Sequence, residues 1–275
     1  MRVALLQLEA SGELADRRRR ASSAIRQAAD DGADLIVLPE LWSVGAFEAG
    51  AWRERAESVD GPTADWAAEA ARDAGVVLHA GSIIERCDQP PPHGSPALYN
   101  TSLVFGPDGR RLATYRKIHR FGAGGPEREL LEAGEQVVVV PLPLPPDAPG
   151  TTRAGLATCY DLRFPELFRA QSSDTDTGRA QVLLLVASWR RDAASAWRLL
   201  TRARAVENQA VVIACGAAGV SGRQALAGGS IVVDARGQVL AEARTDPQTL
   251  LVDVDLSSVD TIRREFPVGA DRRLY

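Results

Sequence analysis

The sequence has little material for covalent or metal cross-linking. It contains three cysteines, Cys87, Cys159 and Cys215. An odd number without metal-ligand spacing argues against a disulfide framework and a structural zinc site, and fits a reducing, cytoplasmic setting. Excess charge is also missing: the net charge is -4 with both signs interspersed, so nothing here matches the phosphate backbone of a nucleic acid. No apolar run reaches the length of a membrane span. The opening MRVALLQLEA meets Glu9 and Glu13, where a signal peptide would need a basic start, a longer apolar stretch and a small-residue cleavage site. The Gly124-Gly125 and Gly228-Gly229 pairs lack the spacing and the following Lys and Ser or Thr of a phosphate-binding loop. There is no internal repeat, low-complexity tract or break in composition, so residues 1–275 read as one domain.

What is present is ordinary for a globular protein: 45% apolar and 25% charged residues over 275 positions, enough to bury a substantial core. Short apolar runs alternate with stretches of helical period. Val3–Leu8, Asp34–Leu38 and Val76–Ile84 read as buried strands. Leu14–Ala29 and Pro62–Gly75 read as helices, the second marked by Pro early and Gly late. Arg17–Arg20 on the first helix reads as a solvated face. After a Pro-rich loop at Pro90–Pro96, Leu98–Phe105 and Arg111–Tyr115 flank the turn Pro107-Asp108-Gly109, a hairpin that leads directly to Lys117. Gln136–Pro141 and Ala154–Thr158 read as strands joined by a Pro-rich connection. Gln181–Ala187, Ala210–Ala214, Ile231–Val233, Val239–Ala243 and Leu250–Val254 read as further strands, and Ser195–Asn208 as a helix. Fully apolar strands alternating with helices, plus two hairpins, predict an α/β fold with mixed sheets and helices on their outer faces.

Three strand ends carry reactive groups. The strand before Cys159 ends at the cysteine, and Pro165 suits the first turn of a helix, so Cys159 is expected on a strand-to-helix turn. Free N–H groups there would favour thiolate and receive an oxyanion. Leu38-Pro39-Glu40 sets a carboxylate just past a buried strand, and Tyr115-Arg116-Lys117 an ammonium just past the hairpin. Taken singly, a buried structural cysteine, a solvated or capping glutamate and a solvent-facing lysine are the plainer readings. Together they supply a nucleophile, a base and a cation for developing negative charge. His119 offers an alternative Cys-His pairing.

Leu38-Pro39-Glu40-Leu41, Tyr115-Arg116-Lys117-Ile118-His119 and Cys159-Tyr160-Asp161-Leu162-Arg163-Phe164-Pro165-Glu166-Leu167 resemble the three signature blocks of the nitrilase superfamily, in its order. Arg202–Gln209 and Gly229-Ser230 extend the resemblance over most of the chain. It implies a four-layer α-β-β-α sandwich of two mixed sheets that pairs as a homodimer, with a tail over about 256–275 contributing contacts. It further implies Cys159 as nucleophile, Glu40 as general base, and Lys117 with the Tyr160 N–H as oxyanion stabilisers, without metal or organic cofactor. Glu127 matches the family's second glutamate by its offset from Gly134, with Glu129 and Glu132 as rivals. Phe121–Gly125 departs from the acidic loop usual in the amidase branches. The cysteine block is most like that of the Nit-type amidases of 2-oxo acid amides and deaminated glutathione. In that branch Arg163 resembles a clamp for a substrate carboxylate, and Trp189 a pocket wall. Arg163 paired with Asp161 or Glu166, and Trp189 as packing, are the structural alternatives. The implied activity is hydrolysis of a small, carboxylate-bearing amide. Nitrile hydrolysis, N-carbamoyl amino acid hydrolysis and a non-catalytic binding protein on the same scaffold are the alternatives.

Overall fold

The computed structural model describes residues 1–87, 97–122, 124–143, 152–173 and 179–273; the Pro90–Pro96 loop and most of the Pro-rich connection before Thr152 lie outside them. Two six-stranded mixed sheets form the centre. The first runs Gln248–Asp253, Arg2–Gln7, Leu35–Val37, Val77–Cys87, Ala97–Phe105 and Arg111–Arg116 across its width. The second runs Val139–Leu142, Thr152–Thr158, Val182–Ala187, Val211–Gly216, Ile231–Val233 and Val239–Glu242. Both have the same pairing sequence: one antiparallel pair, two parallel pairs, then two antiparallel pairs. The parallel strands, buried on both faces, explain the uninterrupted apolar runs, since alternation is needed only where one face meets water.

The sheets pack face to face. Val3, Leu5, Leu35 and Val37 of the first share one buried cluster with Leu156, Leu184, Val186 and Ile213 of the second. Helices Leu14–Asp30 and Pro62–Ala74 cover the outer face of the first sheet through Ala21, Ile25, Ala67 and Ala71. Helices Pro165–Gln171 and Ala194–Asn208 cover the second through Phe168, Trp197 and Ala205. The result is the four-layer α-β-β-α sandwich. Pro62 at the first turn and Gly75 at φ 66° mark the ends of the second helix as expected. No helix among the described residues is long and apolar enough to cross a membrane.

Arg17–Arg20 is not uniformly a solvated face. Arg17 is only 5% exposed and donates to the carbonyls of Gly12 (2.8 Å) and Ser43 (3.1 Å). Arg17 thus meets two loop carbonyls and, at 3.7 Å, the Glu48 carboxylate, while Arg19 stays exposed and pairs with Asp16. At the other end of the chain, Ser257–Glu265 forms a helix with Val259 and Ile262 buried. Arg263 donates to the Gln209 carbonyl, so this segment packs on the body rather than projecting as an exposed tail.

Candidate functional site

Ligand sites in open α/β sheets gather outside the carboxyl ends of parallel strands, where neighbouring loops diverge and leave a crevice. Here three such ends meet. Glu40 follows Leu35–Val37, Cys159 follows Thr152–Thr158, and Ser188 follows Val182–Ala187. Lys117 arrives from the first hairpin, after Arg111–Arg116. Glu127 sits on a short helix, Pro126–Leu130.

The charged groups form one buried cluster, with Glu40 and Lys117 2% exposed, Glu127 8% and Cys159 9%. Lys117 Nζ donates to Glu40 Oε1 at 3.1 Å and to both oxygens of Glu127 at 2.8 and 3.0 Å. Burial alone would strip the Lys117 proton, but the charges of Glu127 and Glu40 prevail and hold its pKa well above the usual lysine value. Burial raises the Glu127 carboxyl, a rise that Lys117 opposes and Glu40 reinforces. Of the three neighbouring glutamates, Glu127 reaches Lys117; Glu129 and Glu132 are exposed.

Glu40 is held on every side. Asn100 Nδ2 donates to Oε1 at 2.8 Å, and the Ser188 N–H donates to Oε2 at 2.8 Å. The Ser188 hydroxyl donates to the Glu40 carbonyl at 2.9 Å. These contacts come from both sheets, so the carboxylate orientation is fixed by groups far apart in sequence. Neither Asn100 nor Ser188 was singled out by the sequence reading. Asn100 lies within strand Ala97–Phe105 and Ser188 directly follows Val182–Ala187, and neither carries a chemical signal in the sequence.

Cys159 begins a 3₁₀ turn, Cys159–Arg163, and the α-helix starts only at Pro165. The expected helix amino terminus is therefore replaced by a tighter turn, in which the N–H groups of Cys159 and Tyr160 precede the first i→i−3 bond. Nor is a resting thiolate favoured: burial first, then the charge of Glu40, push the Cys159 thiol well above its usual pKa, against the opposing pull of Lys117. A shift in this direction makes a neighbouring base useful to the thiol, and Glu40 is the carboxylate that contributes to it. Cys159 has φ 48°, a left-handed conformation uncommon for a residue with a Cβ and a frequent mark of functional turns.

His119 belongs elsewhere. Its ring Nδ1 lies 2.8 Å from Asp161 Oδ1, and the ring stacks on Phe164 with centroids 3.7 Å apart. Asp161 is thereby occupied, and among the described residues Arg163 pairs with neither Asp161 nor Glu166. The Arg163 guanidinium lies 5.1 Å above the Trp189 ring. Both line a cavity of about 170 Å³ together with Glu40, Glu127, Cys159 and Tyr160. Phe47, Trp52 and Phe121 supply apolar wall. Arg190 also faces the cavity but pairs with Asp192. Trp189 serves both readings given to it: it lines the cavity, and its Nε1 donates to the Ala193 carbonyl at 2.9 Å while the ring packs on Trp197.

Comparison with known proteins gives the same direction. The family model for carbon-nitrogen hydrolases matches residues 2–264. A 2-oxoglutaramate amidase of Paenarthrobacter nicotinovorans is 40% identical over 88% of this chain and 79% of its own length. The omega-amidase NIT2 of Homo sapiens is 35% identical over 99% of this chain and 95% of its own. Among solved structures, a glutamate-to-glutamine mutant of the amidase from Nesterenkonia sp. AN1 superposes with a TM-score of 0.77 at 27% identity. The match covers 97% of this chain and 98% of that one, and that structure shows acrylamide added to the active-site cysteine.

Proposed function

The chain belongs to the carbon-nitrogen hydrolase family, in its Nit-type amidase branch, and from that premise we propose a substrate class and a role for each residue of the site. The protein is an amidase-type enzyme acting on a non-peptide carbon-nitrogen bond. Its substrate is a small amide that also carries a carboxylate. The observation behind the amide chemistry is the buried Lys117 bridging Glu40 and Glu127 in the cavity that Cys159 also lines.

Charge bookkeeping gives the order of steps. Moving the thiol proton to Glu40 converts one carboxylate into one thiolate, so the cluster changes its charge distribution without adding a charge to a low-dielectric site. Cys159 Sγ attacks the amide carbon as Glu40 takes the proton. The negative charge moves to the former carbonyl oxygen, where Lys117 Nζ and the Tyr160 N–H receive it. Glu40 returns the proton to the departing nitrogen, leaving a thioester. Water then adds to the thioester, again losing its proton to Glu40, and the acid leaves as the thiol is restored. Glu127 keeps Lys117 charged and aimed throughout.

The carboxylate preference rests on Arg163, a cavity-lining cation with no ion pair among the described residues, packed on Trp189. Its planar fork suits two-point binding of a carboxylate, and the aromatic face restricts where the fork can point. The 2-oxoglutaramate amidase supports this choice, because the compound in its name is an amide with a carboxylate. The same reading places the enzyme in the cytoplasm as one domain and as a homodimer. Leu199 and Val206, exposed on helix Ala194–Asn208, support a partner surface there.

Ammonia release from 2-oxo acid amides, deaminated glutathione, aliphatic amides, nitriles and N-carbamoyl amino acids tests the proposal, with Cys159→Ala as blank. Turnover confined to carboxylate-bearing amides is expected, and Cys159→Ala should fold and be inactive. Preference for nitriles or uncharged amides would sink the Arg163 assignment. Activity surviving in Cys159→Ala would sink the mechanism.

A further inference from the structure

Lys117 and Cys159 stand at the ends of strands in different sheets. If Lys117 Nζ and the Tyr160 N–H are to meet on one oxygen, the two sheet ends must hold their separation closely, since a misplacement of about 1 Å can cost on the order of 100-fold in rate. Ladder hydrogen bonds run within each sheet and cannot set that distance. It has to be set by side chains that cross between the sheets.

Asp161 is such a side chain. It lies two residues after Cys159, fully buried, and its carboxylate accepts four hydrogen bonds. Oδ1 takes the His119 N–H at 3.0 Å and the His119 ring Nδ1–H at 2.8 Å. Oδ2 takes the Tyr115 hydroxyl at 2.7 Å and the Thr158 N–H at 2.9 Å. Tyr115 and His119 stand two residues before and two after Lys117, while Thr158 immediately precedes Cys159. One carboxylate therefore ties both flanks of the lysine to the turn that carries the nucleophile.

The residue type follows from the donors. Every partner donates, so both oxygens must accept; an asparagine would turn an NH₂ group against the Tyr115 hydroxyl and the Thr158 N–H. Burial of an unpaired carboxylate would be costly, and the four donors offset that cost. The Thr158 bond is half of a reciprocal cap on the 3₁₀ turn, so it also braces the left-handed backbone at Cys159. Phe164, stacked on the His119 ring, holds that donor in place.

We propose that Asp161 is a positioning residue for the amide hydrolysis: it sets the distance between Lys117 and the Cys159 turn and so governs the rate of acylation while leaving substrate capture largely untouched. The inference rests on the roles given above to Glu40, Lys117 and Cys159. It adds Asp161, Tyr115 and His119 as the device that aligns them.

The test uses the full-length enzyme with Asp161→Asn, Tyr115→Phe and the double variant, measuring kcat and KM on an accepted amide well below each variant's unfolding temperature. Asp161→Asn should lower kcat by about 10- to 100-fold with KM within about threefold, and Tyr115→Phe should lower kcat by about three- to tenfold. The double variant should be no slower than Asp161→Asn, because both remove the same tie. A purely structural role would lower the unfolding temperature and leave kcat unchanged. Wild-type kcat in folded Asp161→Asn, or losses that multiply in the double variant, overturns the proposal. Should Asp161→Asn fail to fold, unchanged kcat in Tyr115→Phe overturns it equally. Cys159→Ala in the same assay separates the two levels: if it stays active the site reading fails, whereas if it is dead and folded Asp161→Asn keeps the wild-type kcat, only the proposal fails.

Discussion

His79 supplies a quantitative test of how the Glu40 corner is supported. Its ring is completely buried, and its Nδ1 accepts the Gly81 N–H at 3.2 Å while Nε2 has no partner. Burial lowers its pKa from 6.5 to about 4. Protonation would abolish the Nδ1 acceptor and place an uncompensated charge in the core. Gly81 is tightly engaged: at φ 69°, it lies where a Cβ would come 2.1 Å from the Pro39 carbonyl. The folded protein resists protonation that the unfolded chain accepts, so stability is full above about pH 6.5, falls as the pH drops toward about 4, and levels off below. Between about pH 8 and about pH 5 the loss from this one group works out to ~2 kcal/mol, from ~1.4 kcal/mol per pKa unit. The assay is urea unfolding of the wild type and of His79→Gln at both pH values, because glutamine can accept the Gly81 N–H and does not titrate. The wild type should lose ~2 kcal/mol more than the variant on acidification. Parallel losses in the two proteins would refute the reasoning.

Other outcomes follow from the same geometry. Lys117→Met leaves Glu40 and Glu127 buried without their cation; it should lower kcat by at least ~100-fold and stability by ~3–5 kcal/mol, checked by steady-state kinetics and denaturation. Arg163→Ala should raise KM for a carboxylate-bearing amide by ~10- to 100-fold, as expected for losing a charge-assisted contact. Its kcat should be far less affected, and comparison with an uncharged amide is the control.

Much of the fold was legible because the parallel strands are short apolar runs ending in reactive residues. Glu40, Lys117 and Cys159 could each be placed at a strand end from local pattern alone, and the resemblance of their three blocks joined them. What stayed hidden depends on pairing between distant segments. The order of strands across each sheet leaves no local mark, and Gln248–Asp253 beside Arg2–Gln7 is an instance. Arg17 reads as solvated because its neighbours in sequence are charged, while its partners are the carbonyls of Gly12 and Ser43 and the carboxylate of Glu48, the last two on a loop that only the fold brings near. The environment of Cys159 is only half local: the turn's N–H groups follow from its own segment, whereas the charge of Glu40, which helps raise the thiol pKa, comes from the other sheet. Asn100 and Ser188 gave no chemical signal, since a buried amide and a backbone N–H become significant only once the carboxylate they hold has been located.

The pairing of Arg2–Gln7 with Gln248–Asp253 also governs the order in which the molecule can assemble on the ribosome. All strands of the second sheet lie within residues 139–242, so that sheet can close before the first acquires its last member. Until residue 253 emerges, Arg2–Gln7 stays an unpaired edge, with the Gln7 amide waiting for the carbonyls of Arg244 and Asp246. An open apolar edge held through most of synthesis is the stage at which nascent chains would pair wrongly with one another. The half of the active site carried by the first sheet, Glu40 and Lys117, thus belongs to the sheet whose closing pair is the most widely separated in sequence.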